Sequence, residues 1–294
     1  MTMQRPNGVG LGLRWEFVDE LLERKPALGF IEISPENYMG RGGYYDEALD
    51  RAKALWPIAS HGLTMSIGGT DPLRTEYLAG LRAFIDRVGA PWHSDHLCFS
   101  TEGGVVLHDL LPLAFKRSEV KRVAERIKRA QDAVGVPLAI ENVSFYLHPG
   151  KRELTEPEFV ASVCEAADCG LMFDVNNAWV NATNFGYDVD SWLRTIPAER
   201  IVQMHVAGHD WFDDGNGFAA GERPADIAGE HGMLIVDSHG ADVADEVLAF
   251  LERTLQKTGP VPVLLERDQS IPPLDELLAE VAKIDAIYRR AVAT

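Results

Sequence analysis

Two periods of apolar residues alternate along the chain. Short, nearly continuous apolar runs give way to longer segments with apolar positions at i, i+3 and i+4. The short runs predict strands over 29–33 (GFIEI), 63–67 (LTMSI) or the residues just before it, 92–99, 137–143, 171–175, 201–206, 233–237 and 261–266. Runs of this kind suit parallel strands covered on their outer face. The helical spacing covers Glu16–Arg24, Asp46–Trp56, Leu73–Val88, Ser118–Val134, Glu156–Ala167, Val243–Lys257 and Leu274–Ala293. Asp71-Pro72 and Thr155-x-x-Glu158 read as helix starts, the second as a capping box. Eight strands alternating with helices predict a single (β/α)8 TIM barrel over residues 1–294. The alternative, a doubly wound open sheet, lacks a dinucleotide fingerprint or a phosphate-binding P-loop. Gly8-x-Gly10-x-Gly12 reads as an entry turn.

Charge narrows the partners. The chain of 294 residues carries 28 Lys+Arg against 45 Asp+Glu, a formal net charge of −17. That excludes a general electrostatic pull toward nucleic acid or an anionic membrane. Neither a signal-peptide core nor a run near the roughly 20 apolar residues of a membrane span is visible. Three cysteines, Cys98, Cys164 and Cys169, are too few for a disulfide framework or thiolate cage, so a cytoplasmic location is expected. The basic segment 118–130 reads as a solvated helix face, with a docking face for an acidic partner as the second reading.

Metal-binding residue types recur at the strand ends. The first predicted strand ends near Glu32 and Glu36, and Asp95 and His96 close the third. The steps from His61 to His96, Glu141, Asp174, His205, Asp237 and Glu266 are 35, 45, 33, 31, 32 and 29 residues. A βα unit has about that length, and a barrel gathers the C-terminal ends of its strands on one face. Glu141, Asp174, Asp237 and Glu266 each close an apolar run, where an uncompensated carboxylate is costly. With His61, His96, His205 and His239 in the same register, the pattern predicts a multinuclear metal site. His and carboxylate donors without Cys suit Zn, Fe or Mn.

This order of residues resembles the xylose-isomerase-like barrel superfamily, including the three-zinc endonuclease IV. It is more similar to the MbnB- and TglH-like family of multinuclear iron enzymes. The phrases that carry the resemblance are GLGLR (10–14), FIEISPENY (30–38), SDHL (94–97), IENV (140–143), DVNN (174–177), HVAGH (205–209), DSHG (237–240) and LERD (265–268). The resemblance implies one metal held by His61, His96 and Glu141, and a second held by Glu141, Asp174, His205 and Glu266. A third would use Asp237 and His239, completed by Asn177 or His209. Asn177 stands where endonuclease IV has a histidine. Asp268, Asn142 and Asp95 are expected to orient ligands or carry protons.

The implied activity is that of an oxidase or oxygenase using two or three irons, Fe(II)/Fe(III), and O2 to modify cysteines of a ribosomally made precursor peptide. A separate protein that presents the peptide is implied as well. The alternative is an endonuclease IV-like phosphodiester hydrolase, which the acidity and Asn177 disfavour. A sugar isomerase would want a catalytic lysine or paired carboxylates near the metals, and no Lys stands at any of these strand ends. A non-enzymatic metal binder would not need ligands from so many strands. Segment 208–232, glycine-rich and acidic, is expected to be a lid or a peptide-binding edge.

Overall fold

The computed structural model describes residues 5–213 and 233–293. In chain order the strands are β1 (Val9–Gly12), β2 (Ile31–Ile33), β3 (Ile58–Gly62), β4 (His93–His96), β5 (Phe99–Glu102) and β6 (Val105–Leu111). They continue with β7 (Leu138–Glu141), β8 (Gly170–Asp174), β9 (Ile201–Val206), β10 (Asp210–Asp213), β11 (Met233–Val236) and β12 (Val263–Leu265). The helices are α1 (Val18–Arg24), α2 (Tyr44–Leu55), α3 (Thr75–Val88), α4 (Arg117–Val134) and α5 (Glu156–Ala167). After these come α6 (Val175–Phe185), α7 (Asp190–Thr195), α8 (Asp245–Thr258) and α9 (Leu274–Val292).

Strands β1, β2, β3, β4, β7, β8, β9 and β12 close into a parallel barrel in that cyclic order. The (β/α)8 expectation therefore holds, with one strand exchanged. Residues Val9–Gly12, read from sequence as an entry turn, form the first barrel strand and pair with β12 and β2. Their glycines hid the apolar run. Gly10 is required there because a Cβ would lie 2.7 Å from the Phe30 ring. Conversely, Met233–Val236 is not a barrel strand. It pairs antiparallel with β10, outside the barrel. Its apolar character is explained by Ile235, which is fully buried, while Met233 is exposed.

Other boundaries shift for local reasons. The second predicted strand lies at 58–62, the earlier of the two placements. The predicted strand 92–99 splits into β4 and the start of a β5–β6 hairpin. Helix α3 begins at Thr75, because the Asp71 carboxylate accepts hydrogen bonds from the Gly103 and Gly104 amides (3.1 and 2.9 Å) instead of opening the helix. Thr155 does form the capping box with Glu158. Helix α6 was not anticipated from its asparagine-rich sequence. It starts because the Asp174 carboxylate accepts from the Asn177 amide (2.6 Å). On α4, Arg122 and Arg126 donate to backbone carbonyls of residues 66–71, so part of that basic face braces a loop.

Layering of the barrel interior places the site. Strand side chains alternate, so residues i and i+2 share a face. Phe30, Ala59 and Leu264 form a small apolar cluster of their own inside the barrel. Two residues further along those strands stand Glu32, His61 and Glu266, all buried. The apolar layer is thus the floor on which a polar layer rests. The three cysteines are buried and unbridged. Among the described residues no helix is long and apolar enough to cross a membrane.

Candidate metal centre

Three groups of donor atoms meet at the C-terminal mouth of the barrel. His61, His96 and Glu141 form the first, Glu141, Asp174 and His205 the second, and Asp174, His239 and Glu266 the third. Within each group the donor atoms lie within 4.8 Å of one another. Glu141 and Asp174 each belong to two groups, so the three are continuous.

The first group has a fixed polarity. Ser94 Oγ donates to the Ser60 carbonyl (3.3 Å), so it accepts from His61 Nδ1–H (2.9 Å). That leaves the His61 Nε2 lone pair facing inward. It lies 3.2 Å from Glu141 Oε2 and 3.3 Å from His96 Nε2. His96 Nε2 is 3.1 Å from the same carboxylate oxygen. Acceptor atoms that converge in a buried place need a cation or a proton between them. Burial disfavours a charged His61, yet the Glu141 carboxylate outweighs it and raises the pKa to about 9. Burial lowers that of His96.

In the second group His205 is fully buried and touches carboxylates on both sides. Its Nδ1 is 2.9 Å from Glu266 Oε2 and 4.0 Å from Glu141 Oε1, and its Nε2 is 3.0 Å from Glu32 Oε2. Asp174 Oδ2 is buried without a hydrogen-bond partner. Burial, Glu141 and Asp237 push the Asp174 carboxyl well above its ordinary range. Burial would raise Glu266 too, but His239 and His205 hold it well below.

Asn142 anchors this group. It brackets Asp174 with two hydrogen bonds to the backbone and accepts none of the inward charge. Asn177 donates to the Asn142 carbonyl (3.0 Å), while its Oδ1 is buried and unpartnered near the site.

In the third group His239 joins Asp174 and Glu266. Asp237 Oδ1 lies 2.9 Å from His239 Nε2, but the carboxylate also accepts from Asn176 Nδ2 (2.7 Å) and Ser144 Oγ (3.2 Å). His209 Nδ1 contacts Asn176 Oδ1 at 2.8 Å and stays outside all three groups. Asp237 and His239 follow β11, the return strand of the β10–β11 ribbon, rather than a barrel strand.

Asp268 contacts His239 Nδ1 (3.2 Å) through one oxygen and accepts from Arg14 through the other. Asp95 caps the His96 amide (2.8 Å), with its pKa raised to about 7 by burial and Glu36. Arg14, Ser94 and Asn176 have contacts here that the sequence does not assign. Glu32, in sequence a metal-binding residue type at a strand end, lies in none of the three groups and contacts His205 Nε2 instead. Of segment 208–232, residues 214–232 lie outside the described residues, and with them most of the expected lid.

A cavity of about 540 Å³ opens beside the groups. His96, Glu141, Asn177, Asp237 and His239 line one side, and Phe99, Leu111, Val143, Phe145, Leu147 and Val236 much of the rest. Among the described residues that line it, none is Lys or Arg. The donor types, the shared carboxylates and the unpartnered inward atoms fit metal ions.

Comparison with known proteins places this arrangement. A UPF0276 protein of Shewanella amazonensis is 40% identical over 286 residues, covering 97% of this chain and 96% of that protein. One from Neisseria meningitidis serogroup B is 40% identical over 287 residues, with 96% and 95% covered. Among solved structures, a xylose isomerase domain protein from Planctomyces limnophilus aligns with a TM-score of 0.57 at 14% identity, covering 99% of each chain. Endonuclease IV from Thermus thermophilus aligns with a TM-score of 0.52 at 16% identity, covering 97% of this chain and 99% of that one. These structures share the fold. The profile of the family described as RiPP precursor modification enzyme MbnB/TglH/ChrH matches residues 8–289, and the chain belongs to that family.

Proposed function

We propose that the protein is a multinuclear iron-dependent oxidase or oxygenase that uses O2 to modify cysteine residues of a ribosomally synthesised precursor peptide. The observation that carries the metal reading is the convergence of His61, His96 and Glu141. With its Nδ1–H committed to Ser94, His61 turns Nε2 to a Glu141 oxygen at 3.2 Å, a place that a proton or a cation must fill. Family membership supports the peptide substrate. Bound iron would supply redox-active Lewis-acid positions at which a substrate thiolate and O2 meet.

The chain's own residues hold and shape that place. His61, His96 and Glu141 would hold one ion. Glu141, Asp174 and His205 would hold a second, with Glu266 beside it. Asp174, His239 and Glu266 would hold a third. Asn177 Oδ1 is a neutral donor aimed toward the same space. The apolar wall from Phe99 to Val236 receives the peptide and excludes water from the reacting side chain. Asp95 is placed to hold a proton beside His96, and Asp268, kept ionised against burial by His239 and Arg14, to accept one from His239. A separate protein presents the peptide at the cavity mouth.

The test is anaerobic purification, elemental analysis and Mössbauer spectroscopy, followed by O2 uptake with a Cys-containing precursor peptide. Iron at two or three equivalents and peptide-dependent O2 uptake are expected. Zinc alone from iron-rich medium, with no O2 uptake, would overturn the proposal. Cleavage of abasic DNA would support a phosphodiester hydrolase instead, a reading that the formal net charge of −17 disfavours.

A further inference from the structure

We infer that Glu32 orients His205 from across the barrel, accepting its Nε2–H so that Nδ1 faces Glu141, Asp174 and Glu266. The inference rests on the metal-centre reading above and adds a residue that belongs to none of the three donor groups. Glu32 lies on β2 and His205 on β9, which are not neighbours in the barrel. Their contact at 3.0 Å therefore spans the interior.

An imidazole has two nitrogens and can turn either to a metal. Which one binds is set by what the other donates to. His205 is 0% exposed, so no water competes for either nitrogen. Nδ1 points at the second group, 4.0 Å from Glu141 Oε1. Nε2 points away from it, 3.0 Å from Glu32 Oε2 and 3.1 Å from Gln203 Nε2, two N–H groups that converge on the one carboxylate oxygen.

Glu32 is itself held. Gln203 Nε2 donates to the same Oε2. The amide cannot be turned over, because its oxygen would then face a carboxylate oxygen. Phe30 lies beneath Glu32 on the same strand face and is fully buried, so the carboxylate cannot drop lower in the barrel. Glu32 is a positioning residue: it acts through His205.

Glu32→Gln and Glu32→Leu in the full chain test this. Gln keeps an acceptor oxygen without the charge, and Leu fills similar volume without an acceptor. Metal-stripped protein is titrated anaerobically with Co(II), following visible absorption. His ring 15N spectra report which His205 nitrogen carries the proton, and melting of the metal-free proteins reports folding.

The expected result is a graded loss of affinity for one Co(II), about 10- to 100-fold for Gln and more for Leu. The His205 Nε2–H signal is lost or shifted, and Co(II) bound at His61 and His96 keeps its spectrum. Wild-type Co(II) affinity and an unchanged His205 signal in both variants would overturn the inference, whatever the melting shows. If Leu does not fold, Gln alone decides. Failure of the wild-type protein to bind Co(II) would instead overturn the metal-centre reading, and the inference with it.

Discussion

Asn142 brackets the backbone of Asp174: its Nδ2 donates to the Asp174 carbonyl (2.8 Å) and its Oδ1 accepts from the Asp174 amide (3.0 Å). One buried side chain on the β7 end thus fixes the end of β8 as a partner strand would. Because Asp174 also caps α6, the same pair sets where that helix begins. Removing the amide strands two buried backbone groups, each costing about 1–3 kcal/mol. Asn142→Ala is expected to lower unfolding stability by about 2–4 kcal/mol and to weaken metal binding at Asp174. Denaturant melts and metal titration check both. A loss under about 0.5 kcal/mol would remove the bracket from the account.

His96→Ala should remove the metal of the first group and spare the others, read as a drop in metal equivalents. Unchanged metal content would refute the assignment. Ser94→Ala is the gentler probe, because it deletes only the acceptor that sets the His61 tautomer. The expected outcome is about 10- to 100-fold weaker metal binding at that group. The stability change is expected to be about 1 kcal/mol, from the lost hydrogen bond.

Glu156 supplies a pH signature away from the metal centre. It is buried beneath the loop that lines the cavity, accepting from Asn181 Nδ2 (2.9 Å) and Tyr187 Oη (2.6 Å). Burial raises its pKa to about 8, with the hydrogen bonds from Tyr187 and Asn181 only partly opposing the rise. Its folded-state pKa lies above the unfolded value, so the native state holds the proton more tightly. Its contribution is full below the unfolded glutamate value, about 4.3, and is lost as pH rises toward about 8. Glu156→Gln is neutral throughout. The stability difference, variant minus wild type, should therefore grow with pH between about 5 and 8, by at most about 1.4 kcal/mol per unit. Parallel denaturation at several pH values measures it, and a flat difference would contradict the burial argument.

Gly10→Ala tests the first barrel strand. A Cβ there would meet the Phe30 ring at 2.7 Å, from which the ring can retreat only by disturbing the floor under Glu32. The expected cost is about 1–3 kcal/mol in thermal or denaturant unfolding, as for overpacking elsewhere. A neutral substitution would show that the floor yields.

By itself the sequence determined the barrel class, seven of the helices (all but α6 and α7), and most of the residues at the barrel mouth. The reason is periodic: βα units recur about every 30 residues, and in each the chemistry-bearing residue closes an apolar run. His61, His96, Glu141, Asp174, His205 and Glu266 were all legible in this way. Tertiary structure decided what depends on closure. Val9–Gly12 carries too little apolar signal to read as a strand, and becomes one because β12 and β2 flank it. Met233–Val236 carries that signal and still lies outside the barrel, because β10 pairs with it. Asp237, which follows β11, contacts His239, Asn176 and Ser144, and Asn176 links it to His209. Glu32 and His205 are 173 residues apart, and only the closed barrel sets them 3.0 Å from each other. Side-chain alternation along a strand is local and can be read from the chain; the partner across the lumen is chosen by the ring that the strands close.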